Sequence, residues 1–239
     1  MRPLYCACIK PAAPGDRSIL LPVKDTSDRI IADRVLQLVA SAQRRLLEVG
    51  CGDGRISALL AAPSRSLVAI DPNLEGLRRA RVQGVDAGFV AASGERLPFP
   101  DRSFCRVLFT LSLHHQASLR ALQEAGRVLS EGGEILVVEP MEGSEMEQVF
   151  RLLHDEVDVL RAARAAIRES GFRVSLSERL TATWRFEDRQ ELNRYLFDYY
   201  GVPHSQTLAR EIAVQLGAKA GDRPLLLEDD VILDVLRVV

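Results

Sequence analysis

Hydrophobic positions follow no period over residues 1–17, which are rich in Pro, Ala and Gly and predict an extended leader. From Asp25 a helical spacing sets in. Ile30, Ile31, Val35, Leu38 and Val39 recur on one face, and Thr26 to Asp28 stand ready to cap a helix of about four turns. A short apolar run, Leu46-Leu47-Glu48-Val49, then stops at Gly50-Cys51-Gly52-Asp53-Gly54, as a buried strand meeting a glycine turn does. Residues 56–62 predict a helix ended by Pro63, and 66–70 a second strand closed by Asp71-Pro72. The alternation continues with a helix over 74–83, a short strand over 87–90, a loop over 94–102 and a strand over 104–111. Leu119, Leu122, Ala125, Val128 and Leu129 mark one face of a helix over 119–129, and Gly132-Gly133 turns the chain into a strand over 134–139.

Strands separated by helices of this length pair in parallel through right-handed crossovers, so the fold class is α/β with a doubly wound, Rossmann-like sheet. The last hundred residues are less regular. Residues 144–170 predict an amphipathic helix with a break, and a strand runs from Gly171-Phe172 to about Phe186. Helices are expected over 188–200 and 204–216, and a final apolar strand over 231–239. No repeat, low-complexity tract or linker interrupts the chain, so residues 1–239 are expected to form one domain. Within it, 28–140 would be the ligand-binding core and 141–239 the segment that covers it.

Composition narrows the function classes. The 239 residues carry a net charge of −2, which argues against a nucleic-acid-binding domain held by a basic face. Only Lys10, Lys24 and Lys219 are lysines among 31 basic residues, a bias that reads as base composition of the coding sequence. No apolar run reaches the ~18 residues of a membrane span, and the first fifteen residues lack the core of a signal peptide, so the expected place is the cytoplasm. Four cysteines, Cys6, Cys8, Cys51 and Cys105, form no zinc-site spacing with a second Cys/His pair, and no metal is expected.

The stretch from Leu46 to Asp71 carries chemistry. A strand, a Gly50-x-Gly52-x-Gly54 turn and a helix expose main-chain N–H groups that a ligand can approach closely. Asp71, at the end of the next strand, can accept hydrogen bonds from both hydroxyls of a ribose. The nicotinamide fingerprint G-x-G-x-x-G would need its third glycine where Arg55 stands. Glu48 before the turn would repel a pyrophosphate but suit a sulfonium amino acid with a free ammonium, which favours S-adenosylmethionine over NAD. A turn that only reverses the chain explains neither Glu48 nor Asp71.

With these residues in view, Leu47-Glu48-Val49-Gly50-Cys51-Gly52-Asp53-Gly54 resembles the first motif of class I S-adenosylmethionine-dependent methyltransferases. Leu97-Pro98-Phe99-Pro100 with Ser103-Phe104, and Arg127-Val128-Leu129-Ser130-Glu131-Gly132-Gly133 followed by 134–140, resemble the branch that includes ubiquinone and menaquinone methyltransferases. The likeness covers residues 28–140. It implies a seven-stranded, mostly parallel sheet with an antiparallel last strand, and a small-molecule acceptor. It also implies that Glu48, Gly50, Cys51 and Gly52 line the methionine part, and that Asp71 takes the ribose hydroxyls. Pro72, Ser93, Gly94 and Glu95 would lie by the adenine, and Thr110 with Leu111 by the methionine tail. Two positions depart from the family pattern. Ser93 stands where many relatives carry Asp, and Phe104-Cys105 replaces Phe-Asp. They motivate an alternative, a non-catalytic binder of the same cofactor that senses it or serves a protein partner.

Methyl transfer from a sulfonium asks the protein mainly to align the acceptor and exclude water; a general base helps when the acceptor must lose a proton. His114 and His115, after the strand over 104–111, are the candidates, with His115 placed first; capping of the following helix or packing against the sheet is the competing role. His154-Asp155-Glu156 could reach over the site or meet a metal with His115; adjacent helical residues diverge by ~100°, so all three cannot face one ion, and a solvated face is the preferred reading. Leu192, Tyr195, Leu196 and Tyr199 read as the core side of a helix rather than a lid over an aromatic acceptor. Nucleic-acid methylation is not expected. The chain has no Asn/Asp-Pro-Pro-aromatic loop, no basic domain and no Pro-Cys nucleophile.

Overall fold

A computed structural model describes residues 24–25, 27–39, 45–61 and 66–238; the 1–17 leader, Cys6, Cys8 and Pro63 lie outside them. In chain order the elements are β1 (Lys24–Asp25), α1 (Ser27–Val39), β2 (Leu46–Val49), α2 (Arg55–Leu60), β3 (Leu67–Asp71), α3 (Leu74–Val82), β4 (Gly88–Ala91) and β5 (Phe104–Thr110). A 3-10 turn (Leu113–His115) leads to α4 (Ser118–Val128), β6 (Leu129–Pro140), α5 (Glu145–Arg151), α6 (Val157–Glu169) and β7 (Arg173–Phe186). Then come α7 (Arg189–Tyr200), α8 (Gln206–Leu216), a second 3-10 turn (Gly217–Gly221) and β8 (Leu225–Arg237).

The strands run in the order β1-β7-β8-β6-β5-β2-β3-β4, seven strands of the expected sheet with the two-residue β1 at one edge. β2 pairs in parallel with β3 and β5, β3 with β4, and β5 with β6, while β8 runs antiparallel to β6. Three elements differ from the sequence pattern. β6 begins at Leu129, which pairs with Phe104 before a register shift brings Glu134 opposite Arg106; Gly132, at φ +69°, lies in the interruption. The helix over 144–170 is two helices, and His154-Asp155-Glu156 lie in the connection between them rather than on a helical face. β8 begins at Leu225, not 231.

The chain divides into two compact units. The larger contains Ser27–Met141, Val157–Thr181 and Asp230–Val239. Its strands alternate between two covered faces. Leu46 packs with Ile31, Val35 and Val39 of α1 and Leu60 of α2, whereas Leu47 packs on the face of α4 (Ala121, Leu122, Ala125) and α6 (Ala163, Ile167). Burial on both faces is why β2 reads as an unbroken apolar run rather than an alternation.

The smaller unit contains Glu142–Glu156 and Ala182–Asp229, with β1 against the far end of β7 (Lys24↔Arg185, Asp25↔Trp184). Met146, Trp184, Phe186, Leu192, Leu196, Phe197, Ile212 and Leu225 form its core. Asp188 accepts from the N–H groups of Gln190 and Glu191 and so caps α7. Leu192 and Leu196 face this core as the spacing predicts, with Phe197 beside them, but Tyr199 is 50% exposed. Among the described residues no helix is long and apolar enough to cross a membrane.

Candidate functional site

β2 feeds the chain into a turn in which Gly50, Gly52 and Gly54 take φ values of +79°, +56° and +81°. The N–H groups of Gly50 and Cys51 both donate to the Ile70 carbonyl, at 2.8 and 3.0 Å, which ties the turn to the end of β3. The glycines serve different ends. A Cβ on Gly54 would stand 2.7 Å from Ala80 Cβ of α3, so this position closes a helix contact. A Cβ on Gly52 would meet nothing within 4 Å, so the main chain there lies against open space.

Asp71 stands beside that opening. One carboxylate oxygen accepts from the Gly52 N–H at 2.8 Å and the other from the Asn73 N–H at 2.7 Å. Each oxygen has a further lone pair, so a fixed carboxylate can still accept from two hydroxyls. Pro72 is exposed next to it. Ser93 is half-buried, and its Oγ accepts from the Glu95 N–H at 3.2 Å. The Glu95 carboxylate accepts from the Ala117 N–H at 2.9 Å, ahead of α4. Gly94 is buried, and a Cβ on it would fall 2.1 Å from Gln116 Oε1 and 2.5 Å from Val49 Cγ1. Its missing side chain is therefore required by the protein's own Gln116.

Glu48 is 1% exposed. Ser57 Oγ donates to one of its oxygens at 2.5 Å and Thr110 Oγ1 to the other at 2.7 Å. Burial pushes the carboxyl above the usual range, and these two hydroxyls oppose the shift only in part. The Cys51 thiol is also pushed up, by burial first and then by Glu48 and Asp71, so it is no nucleophile. Thr110 and Glu48, taken from separate motifs, thus touch.

After β5 the chain kinks. Leu111 adopts φ +55°, a left-handed conformation that costs a branched residue roughly 1–2 kcal/mol, and its N–H donates to Val138 O at 2.8 Å. Ser112 Oγ then donates to the Val49 carbonyl at 2.6 Å, fastening the kink to the end of β2. The 3-10 turn that follows carries both histidines. His114 is buried with Nδ1 hydrogen-bonded to Glu139 Oε2; His115 is exposed, its ring centroid 3.8 Å from that of His114. His154 and His204 belong to the smaller unit, where His154 Nε2 lies 3.2 Å from Glu156 Oε1 and His204 Nε2 lies 3.9 Å from Asp198 Oδ1.

The larger unit thus brings the glycine turn to Asp71, Glu48 to Thr110, and Glu95 to the start of α4. Cys105 is buried, and its thiol donates to the Arg45 carbonyl at 3.3 Å, a structural use of the position where a carboxylate is expected. Ser57, Ser112, Gln116 and Glu139 escaped the sequence reading. Glu139 had a signal, a carboxylate at the end of the apolar run 135–138, the same departure that marks Glu48.

Residues 47–137 match a family model described as the methyltransferase domain. The ubiquinone/menaquinone biosynthesis C-methyltransferase UbiE of Rickettsia bellii is 31% identical over 124 residues, which cover 46% of this chain and 50% of that protein. The chain therefore spans about half the length of the curated relatives it matches. Among solved structures, BH2331 of Bacillus halodurans C-125 superimposes with a TM-score of 0.64 at 21% identity, over 86% of this chain and 97% of that one. A geranyl diphosphate methyltransferase solved with GPP and sinefungin gives 0.56 at 13% identity, over 88% and 78%. These matches bear out the resemblance to class I S-adenosylmethionine-dependent methyltransferases and the Rossmann-like fold it implies.

Proposed function

We propose that the protein transfers a methyl group from S-adenosylmethionine to a small-molecule acceptor by in-line displacement. The observation that carries this reading is the open main chain at Gly52 with the Asp71 carboxylate held 2.8 Å from its N–H. That pairing suits a ligand with a ribose and a close-lying backbone contact. When bound, S-adenosylmethionine supplies a methyl carbon already activated on a sulfonium.

The protein's own residues bind and orient. Asp71 takes the ribose hydroxyls, and the main chain of Gly50, Cys51 and Gly52 lies along the methionine part. Glu48, braced by Ser57 and Thr110, supports the turn from beneath. Pro72, Ser93, Gly94 and Glu95 border the adenine, with Thr110 and Leu111 by the methionine tail. His115 or His114 takes the acceptor's proton where the acceptor must lose one.

Calorimetric titration of the full chain with S-adenosylmethionine, its demethylated product and NADH tests the proposal. The first two are expected to bind, and Asp71→Ala to weaken both by roughly tenfold or more, the worth of a charged hydrogen bond. Binding of NADH alone would overturn the reading. Cofactor binding without methyl consumption across a broad acceptor panel would replace it with the non-catalytic binder, for which Ser93 and Cys105 speak.

A further inference from the structure

The smaller unit holds a cavity that takes no part in the assignments above. It measures about 220 Å³ and is lined by α5, α8, the 3-10 turn that follows α8, and the start of β8. Sites for drug-sized ligands run from ~300 to 1,000 Å³, so this one suits a smaller molecule. Four of its seven lining residues are polar: Glu145, Gln148, Gln215 and Lys219. The others, Val149, Leu216 and Leu227, are buried members of the unit's core and make a fixed apolar floor.

Two opposite charges stand side by side in the wall. Lys219 Nζ forms an ion pair with Glu145 Oε1 and donates to the Leu226 carbonyl at 3.2 Å. The other Glu145 oxygen accepts from the Glu228 N–H at 2.9 Å. An ammonium carries three donors and a carboxylate about four lone pairs, so each group has capacity left over. The Lys219 side chain is 40% exposed and that of Glu145 37%, so a molecule arriving from solvent can reach both. Gln215 Nε2 donates to Gln148 Oε1 at 2.6 Å, and Gln148 Nε2 to the Gly143 carbonyl at 2.8 Å, which holds both carboxamides in place. Lys219 is one of three lysines among 31 basic residues. Its compact ammonium leaves space that a guanidinium fork would fill.

An ion of one sign would meet its like here. An anion drawn to Lys219 lies against Glu145, and a cation drawn to Glu145 lies against Lys219. A molecule that carries both signs close together meets neither cost. We propose that the cavity binds a small zwitterion, an α-amino acid with a short apolar side chain. Its carboxylate accepts from Lys219, its ammonium donates to Glu145, and its side chain lies on Val149, Leu216 and Leu227. The inference does not depend on the methyl-transfer reading, since every residue it uses belongs to the smaller unit.

Saturation-transfer NMR and calorimetry of the full chain with millimolar L-valine test the site. L-Valine is expected to bind. Isobutylamine and isovalerate, which keep its side chain and one charge each, are expected to bind roughly tenfold more weakly or worse. Lys219→Met and Glu145→Gln should each weaken L-valine to a similar degree. Nuclear Overhauser contacts from the L-valine methyl groups to Leu216 and Leu227 locate the ligand in the wild-type protein, so the test stands even where a variant folds poorly.

No binding of L-valine to folded wild type ends the proposal. Equal binding of the two half-molecules would remove the zwitterion as the ligand class. Affinity unchanged in both folded variants would put the amino acid elsewhere. Displacement by S-adenosylhomocysteine, which carries the same two charges on a larger body, would place it at the glycine turn and refute the cavity. None of these results bears against the methyl-transfer reading, which the cofactor titration tests separately.

Discussion

Glu48 stands between Leu47 and Val49 in a strand buried on both faces, where a charge is disfavoured. Its carboxyl lies above the ordinary 4.5, so the folded protein keeps the proton over a pH interval in which the unfolded chain has lost it. Stability from this group is therefore present below about pH 4.5 and is lost as pH rises through the folded value. Unfolding free energy of the ligand-free protein, followed by denaturant titration above pH 4.5, should fall less steeply in Glu48→Gln than in wild type. An unchanged slope would mean that Glu48 is ionised in the fold. Single residues of this kind were legible because they break a pattern, as Glu48, Asp71 and the three glycines do. Ser57, Ser112 and Gln116 do not. The Thr110–Glu48 hydrogen bond joins positions 62 apart, and no local period reports it.

The clearest case at the scale of elements is the loop over 97–101, which α4 holds by one arginine. Arg127 donates to the carbonyls of Leu97 and Phe99 at 2.9 and 2.8 Å and to Asp101 at 2.8 Å. It also grips Glu124, whose other task is to accept from the Leu97 N–H at 2.9 Å. Arg127 holds the Glu124 carboxyl down to about 2. Since the unfolded value lies near 4.5, this contribution is complete above that pH and is lost as pH falls through about 2. Arg127→Met should cost about 2 kcal/mol at neutral pH, since Glu124 and two carbonyls lose their donor, and the penalty should shrink on acidification. Urea titrations at pH 7 and pH 3 measure both; a penalty equal at the two would assign the loss to packing. The elements themselves were legible where hydrophobic period and punctuation agree, as from β2 to β5. They blurred where an element ends without Gly or Pro. The connection over 152–156 contains neither, and Leu129 closes one helical face while opening β6.

For the molecule as a whole, the arrangement of its parts along the chain matters more than their number. α6, the first part of β7 and the last part of β8 belong with the candidate cofactor core, although they lie beyond residue 141. Two of the passages between units fall inside β7 and β8, where the pattern is that of unbroken strands and no linker shows; those at 141–142 and 156–157 fall in short connections. A fragment of residues 27–141 lacks Ala163, Ala166 and Ile167 against one sheet face, and leaves the Ile135–Pro140 edge without its partner. It is expected to show neither a cooperative thermal transition nor a dispersed amide spectrum; a sharp transition would show that the core stands without them.

β8 is made after every other described strand, yet it lies between β6 and β7. At ~5–20 residues per second, the ribosome needs on the order of ten seconds to pass from β6 to β8. Through that interval the nascent sheet carries the apolar edge of Ile135 to Val138 with no strand beside it. Translation speed over codons 141–224, and the chaperones that meet the chain there, then govern how much protein reaches the native sheet before its open edge finds another chain.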